Sequence, residues 1–175
     1  ETGTIVTSTL KVSLNEANKQ TDKSLILDGQ NLELLSINVD GMALKDKDYV
    51  CGNETLTIAS LPETCDIEIQ TRINPDGNKA LEGLYLSSGM FCTQCEAQGF
   101  RRITYFPDRP DVMSTYEVTI IGDKEKYPLL LSNGNLIEKG EAENGKHWAK
   151  WQDPSLKPSY LFALVAGDLF CKEDI

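Results

Sequence analysis

The chain has 175 residues, a hydrophobic fraction of 40% and a net charge of −10 at pH 7. These values are typical of a globular protein made of one domain, or of one domain with a small appendage. The negative charge would repel a phosphate backbone, so nucleic acid is not an expected partner. A membrane span would need a run of about 18 apolar residues, and the sequence has no such run, so no membrane association is expected.

Short segments that alternate apolar and polar residues recur along the chain and predict half-buried strands. In residues 65–73, Ile67, Ile69 and Ile73 fall on one face and charged side chains fall on the other. The same alternation occurs in residues 10–14, 35–39 and 116–120.

Two continuous apolar runs, residues 129–131 and 161–165, predict strands that are covered on both faces. Long amphipathic periodicity is missing from the sequence. Residues 96–102 could form a turn or two of helix before Pro107 and Pro110 break it. The sequence therefore predicts little helix.

Dipeptides that favour tight turns separate the predicted strands. Each can adopt the positive φ angles that hairpin turns need; they are Asp28-Gly29, Asp40-Gly41, Asp76-Gly77, Asn133-Gly134 and Asn144-Gly145. Many short strands with such turns between them predict an all-β fold, either a β-sandwich or a related antiparallel sheet.

The chain contains one histidine, His147, which limits the catalytic sites it could hold. A zinc site of the H-E-x-x-H type needs two imidazoles, and a Ser/His/Asp or Cys/His site would have to use His147 as its base. The surrounding sequence alternates like a strand and has no G-x-S-x-G motif. We therefore interpret His147 as a surface or hairpin residue and expect no catalytic or metal-ligating residue in this chain.

Five cysteines, an odd number at low density, indicate reduced thiols and a cytoplasmic protein; they are Cys51, Cys65, Cys92, Cys95 and Cys171. Cys92 and Cys95 form a C-x-x-C motif. A structural zinc site would need a second pair of ligands, and a thioredoxin-like site would need a βαβ unit. We interpret the two as thiols in a tight loop, with metal binding and redox chemistry as the alternatives.

Glu96 directly follows this motif, and Gln94 lies two residues before it. In an extended loop these two side chains share a face. Arg101, Arg102 and Arg109 follow, so Glu96 could form an ion pair with a nearby arginine. A carboxylate and an amide on one face could instead bind a polar ligand, particularly a cation.

Several blocks of sequence resemble the N-terminal domain of the aminopeptidase N family, the zinc-dependent alanyl aminopeptidases, and most closely its bacterial branch. The blocks stand in the family's order, densely from residue 78 to 168 and more loosely before. They are residues 78–85, Gln94-Cys95-Glu96, Arg101-Arg102, Asp108-Arg109-Pro110, residues 123–128, residues 130–135, Trp151-Gln152-Asp153-Pro154, Lys157-Pro158 and residues 160–168.

The resemblance implies that residues 1–175 are the β-sandwich or saddle-like N-terminal domain of a metalloaminopeptidase. The family's zinc-binding motif and its exopeptidase loop are not in this sequence. We therefore expect the catalytic zinc domain to begin after about residue 170, the family's first strand to be missing before Glu1, and the fragment alone to be inactive. The implied partners are the chain's own catalytic domain and the N-terminus of a peptide substrate, and the implied cofactor is zinc with ligands outside this fragment.

The resemblance also assigns roles to two residues. The glutamate that matches Glu96 binds the free α-amino group of the peptide, and the glutamine that matches Gln94 lines the pocket for the first side chain. The alternative to this interpretation is a freestanding β-sandwich module that binds sugar or protein. Trp148 and Trp151 favour that alternative only weakly, because residues three apart do not share a strand face.

Overall fold

The computed structural model describes residues 3–15, 23–170 and 172. They group into two compact units, Glu1–Asn74 with Gly99–Asp108, and Pro75–Gln98 with Arg109–Ile175. Every strand pairing in the described residues is antiparallel. The prediction of an all-β, antiparallel fold with little helix is thus confirmed.

The first unit contains two sheets, with strand orders β1-β7-β3-β4 and β2-β6-β5. Its strands are β1 (Thr4–Ser13), β2 (Leu25–Asp28), β3 (Glu33–Val39), β4 (Met42–Ala43), β5 (Tyr49–Cys51), β6 (Thr55–Ile58) and β7 (Thr64–Ile73). The alternation predicted for residues 65–73 is confirmed, because every second residue of β7 from Cys65 to Ile73 is buried. The alternating segments predicted at residues 10–14 and 35–39 lie at the end of β1 and in β3.

Both sheets of the first unit contribute to one hydrophobic core. Ile67 and Ile69 of β7 pack there with Leu27 of β2 and Leu56 of β6, and each of these four side chains is fully buried. This is the sandwich arrangement in which the inner faces of two sheets bury each other's apolar residues.

The second unit also contains two sheets, with orders β10-β13-β12 and β11-β14-β9-β8. Its strands are β8 (Gly83–Ser87), β9 (Met90–Gln94), β10 (Met113–Asp123), β11 (Leu129–Ser132), β12 (Asn135–Glu141), β13 (Lys146–Pro158) and β14 (Leu164–Gly167). Leu130, Ala149 and Ala166 form its buried cluster, one from each of three strands. Residues 116–120 lie in β10, as predicted.

The two continuous apolar runs were predicted wrongly in part. Leu130 is buried but Leu131 is 36% exposed, so β11 is not covered on both faces. The second run does not begin as a strand. Residues Ser159–Leu161 form a 3-10 turn and β14 starts only at Leu164, because the Asn133 side chain binds the backbone of this segment in place of a neighbouring strand.

Three of the five predicted turn dipeptides adopt positive φ, at Asp40-Gly41, Gly134 and Asn144-Gly145. Asp28-Gly29 and Asp76-Gly77 do not. At Gly29 the reason for glycine is space, since a Cβ atom there would lie 2.1 Å from Cε1 of buried Tyr105.

The predicted helical turn within residues 96–102 is a single 3-10 turn at Phe100–Arg102. No helix within the described ranges is long and apolar enough to cross a membrane.

Candidate functional site

The residues that the sequence singled out lie at the end of β9. This strand forms a hairpin with β8, and the turn between them places Ser88 and Gly89 at φ angles of 50° and 82°. On its other side β9 pairs with β14. The strand is therefore held between two neighbours, and the candidate site begins where it stops, at Gln94.

Gln94 and Glu96 are both exposed, whereas Cys95 between them is only 3% exposed. Ala97 and Gln98 are exposed as well, so Glu96 belongs to an exposed turn that follows β9. The Gln94 amide Nε2 donates a hydrogen bond of 3.1 Å to the backbone carbonyl of Glu96. The peptide bond from Glu96 to Ala97 is cis. The chain thus exposes the Glu96 carboxylate and the Gln94 amide at the surface, two residues apart in sequence.

Two of the arginine side chains that could have paired with Glu96, those of Arg101 and Arg109, are bound to other carboxylates. In the first unit, Arg101 binds Asp108 at 2.9 Å and approaches Asp28 at 3.7 Å. In the second unit, Arg109 binds Asp111 at 2.5 Å. Within the described part of the second unit, no lysine or arginine forms an ion pair with Glu96.

His147 lies in the hairpin of β12 and β13, as interpreted from sequence. It lies near the start of β13, half-buried, with Nε2 2.7 Å from the backbone oxygen of Tyr127. In the described ranges no group of three or more histidine, cysteine, aspartate or glutamate side chains could hold a metal ion.

The two tryptophans do not form a ligand-stacking surface. The Trp151 indole donates a hydrogen bond of 3.0 Å to the Leu130 carbonyl and packs against the buried cluster of the second unit. Trp148 lies opposite Gly140 across β12 and β13. The two rings therefore lie on different faces of β13, as their spacing predicted.

The cysteines of the C-x-x-C motif lie in different environments. Cys92 is a half-buried free thiol within β9, and Cys95 is buried beyond its end. Cys51, in the first unit, has its sulfur 3.3 Å from the hydroxyl of Tyr105. Burial, and then the bond to Cys51, raises the pKa of Tyr105 above its usual value. Cys171 lies outside the described residues.

Thr93 lies next to the candidate site, although nothing in its sequence context indicated a role for it. In the sequence it is only a spacer within the C-x-x-C motif, yet its hydroxyl is 2.8 Å from the backbone nitrogen of Leu164 and 3.2 Å from its oxygen. These partners are 71 residues apart in sequence. A single sequence carries no signal for such a pairing.

Comparison with known proteins places these observations in a family context. The family model for the Peptidase M1 N-terminal domain matches residues 2–161. Aminopeptidase N of Caulobacter vibrioides is 55% identical over 148 residues, which are 85% of this chain and 17% of that protein. The chain therefore spans about a sixth of the length of that relative.

Two solved structures show a similar fold. Legionella pneumophila aminopeptidase A, crystallised in complex with aspartic acid, has a TM-score of 0.90 and 40% identity, over 95% of this chain and 20% of that one. The M1 zinc metallopeptidase from Deinococcus radiodurans has a TM-score of 0.79 at 18% identity, over 95% of this chain and 38% of that one. At that identity the second likeness concerns the fold alone.

Proposed function

The chain belongs to the Peptidase M1 N-terminal domain family, and from this premise we propose that it is the substrate-anchoring domain of a zinc-dependent aminopeptidase. The parent enzyme removes N-terminal amino acids from peptides, and Glu96 binds the α-amino group of the substrate. The single observation that carries the proposal is the exposed Glu96 carboxylate beside Gln94, with no ion-pair partner in the described part of its unit.

The charge of the substrate explains why a carboxylate suits this task. The distinctive feature of a peptide N-terminus is its amine, whose ordinary pKa of about 8 leaves it largely protonated at neutral pH. A hydrogen bond between ionised partners contributes roughly 1.5–3 kcal/mol. Fixing the amine also fixes the distance from the chain end to the first peptide bond, which is what an exopeptidase requires.

Gln94 complements Glu96 in this proposal by lining the pocket for the first side chain of the substrate. Its Nε2 atom is used in the bond to the Glu96 carbonyl. The other amide atom, Oε1, is an acceptor that can face a ligand.

We place the zinc ligands of the parent enzyme outside this chain. A zinc site needs several histidine, cysteine or carboxylate ligands around one point, and the described residues contain no such group. His147 is bound to the Tyr127 carbonyl. In this proposal the ligands belong to the catalytic domain of the parent, which is also the partner of this chain. We assign the parent to the cytoplasm, on the basis of free thiols such as those of Cys51 and Cys65.

The test replaces Glu96 by alanine in the full-length parent enzyme. We expect kcat/KM for an aminoacyl 4-nitroanilide to fall at least about tenfold, the loss expected from a charge-assisted hydrogen bond. Zinc content should remain at the wild-type level. The matched control is Glu138→Ala, which removes an exposed glutamate from β12 of the same unit and should leave kcat/KM unchanged. A Glu96→Ala enzyme with wild-type kcat/KM would remove Glu96 from the site.

A second experiment tests the division of labour between this chain and the rest of the parent. The purified 175-residue chain is mixed with the same aminoacyl substrate, with and without added zinc. We expect no release of nitroaniline under either condition. Hydrolysis that copurifies with the chain and responds to zinc would show that the chain holds a catalytic site of its own.

A further inference from the structure

The end of β9 is paired unequally on its two sides. Pairing with β8 extends along the whole strand, from Met90 opposite Ser87 to Gln94 opposite Gly83. Pairing with β14 is recorded only at Phe91 and Cys92. On the β14 side, the backbone ladder therefore stops two residues before Gln94.

The hydroxyl group of Thr93 continues this pairing where the backbone ladder stops. The register that places Cys92 opposite Val165 would place Thr93 opposite Leu164. There the Leu164 N–H donates to Thr93 Oγ1 at 2.8 Å, and the same hydroxyl donates to the Leu164 carbonyl at 3.2 Å. A hydroxyl can do both because it carries one proton and two lone pairs. One side chain thus replaces a pair of backbone bonds.

The next hydrogen bond toward the site comes from the neighbouring residue. Gln94 Nε2 donates to the backbone carbonyl of Glu96 at 3.1 Å. The Thr93 and Gln94 bonds together form a connection, called here the β14 brace, that runs from Leu164 to Glu96. Cys95, which lies between these bonds in sequence, is buried.

We propose that Thr93 is a positioning residue for Glu96, acting through the β14 brace. The proposal rests on the function proposed above for Glu96. Without the Thr93 hydroxyl, the last part of β9 is tied only to β8, and the turn that carries Glu96 can shift. A misplacement of about 1 Å between a substrate-binding group and its target can reduce the rate by about a hundredfold, so a brace at this point affects catalysis without touching substrate.

The experiment is a double-mutant cycle in the full-length parent enzyme. Thr93→Val keeps the shape of the side chain and removes both hydrogen bonds, and Thr93→Ser keeps the hydroxyl. Thr119→Val, at an exposed position of β10, is the matched control for loss of a threonine hydroxyl in the same unit. Each change is made alone and together with Glu96→Ala, and kcat and KM are measured with an alanyl 4-nitroanilide.

We expect Thr93→Val to reduce kcat/KM by about tenfold, less than the full effect of such a misplacement because β8 still holds the strand. Thr93→Ser should recover most of the loss and Thr119→Val should show none. In the Glu96→Ala background, Thr93→Val should have little further effect, because the residue through which it acts is gone.

Three results would overturn the proposal. The first is wild-type kcat/KM in Thr93→Val, and the second is a loss that simply multiplies with that of Glu96→Ala. With either of these two results, the function proposed for Glu96 would still be supported if Glu96→Ala alone strongly reduced kcat/KM. The third is the absence of any effect of Glu96→Ala, which would overturn both proposals. If Thr93→Val does not fold, Thr93→Ala is read in the same cycle, with far-UV circular dichroism as the check of folding.

Discussion

Arg101 Nε lies 2.9 Å from Oδ2 of Asp108, whose side chain is only 1% exposed. The same carboxylate oxygen accepts from the Arg101 backbone N–H, and the guanidinium also binds the Asp108 carbonyl at 2.9 Å. Both residues belong to blocks that carry the family resemblance. Their contacts with each other show that these two positions stabilise the first unit, in contrast to exposed Glu96.

The first prediction concerns this ion pair. Replacing Arg101 by alanine would leave the buried Asp108 carboxylate without its cation, and breaking a buried pair in this way costs about 3–5 kcal/mol. We expect a loss of that size in the free energy of unfolding, measured by urea denaturation of the 175-residue chain. The matched control is Arg72→Ala, whose bond to Glu33 is exposed on both sides and should cost at most about 1 kcal/mol. Equal losses in the two variants would contradict the prediction.

The second prediction concerns Gly29. A Cβ atom added there would lie 2.1 Å from Cε1 of Tyr105, a ring that is 3% exposed in the core of the first unit. Gly29→Ala should therefore destabilise the chain by about 1–3 kcal/mol, the usual cost of overpacking a core. Gly52→Ala is the control, because a Cβ there meets its nearest atom at 3.4 Å. The melting temperatures of both variants, measured by thermal unfolding, test this prediction. An unchanged melting temperature in Gly29→Ala would show that the added Cβ atom does not clash with Tyr105.

Local alternation was sufficient to predict strands at residues 10–14, 35–39, 65–73 and 116–120, but it was not sufficient to predict the tertiary contacts. The period of two in residues 65–73 is a property of neighbouring residues, and the burial of Ile67 and Ile69 follows from it.

Long-range partners could not be predicted, because their identity depends on which strands become neighbours in the fold. Thr93 meets Leu164 only after β9 and β14 have paired, and nothing near Thr93 in sequence announces that pairing. The run at 161–165 predicts a strand because its composition is apolar. Its first residues are instead bound by Asn133, 28 residues earlier in the chain.

The third prediction tests that explanation. Asn133 Nδ2 donates to the Leu161 carbonyl at 3.1 Å, and its Oδ1 accepts from the Ala163 N–H at 2.6 Å. Asn133→Ala removes both bonds and should lower the free energy of unfolding by about 1–3 kcal/mol, at roughly 0.5–1.5 kcal/mol for each. Asn133→Asp keeps the acceptor and should lose less. Asn135→Ala, an exposed position at the start of β12, is the control in the same urea titration. A loss in Asn135→Ala as large as that in Asn133→Ala would refute a specific role for the Asn133 amide.

The fourth prediction concerns the dependence of stability on pH. Asp123 Oδ1 accepts hydrogen bonds of 3.0 Å from the backbone N–H groups of Lys126 and Glu125, at the turn that follows β10. The bond from Lys126, then the bond from Glu125 and the positive charge of Lys126, hold the pKa of Asp123 below its usual value. A carboxyl group with a lowered pKa in the folded state is more often ionised there than in the unfolded chain, so its ionisation favours folding.

This stabilisation is fully present above the pKa of the unfolded carboxyl, about 4, and is lost as the pH falls through the lower folded value. Asp123→Asn keeps an acceptor oxygen and removes the charge. We therefore expect the wild type to melt above Asp123→Asn at about pH 6–7, with a gap that closes as the pH falls below about 4. Asp123→Ala, which also lacks the acceptor, should remain less stable than Asp123→Asn at every pH. A gap between the wild type and Asp123→Asn that stays constant from about pH 7 to about pH 2 would show that the charge of Asp123 contributes nothing to this turn.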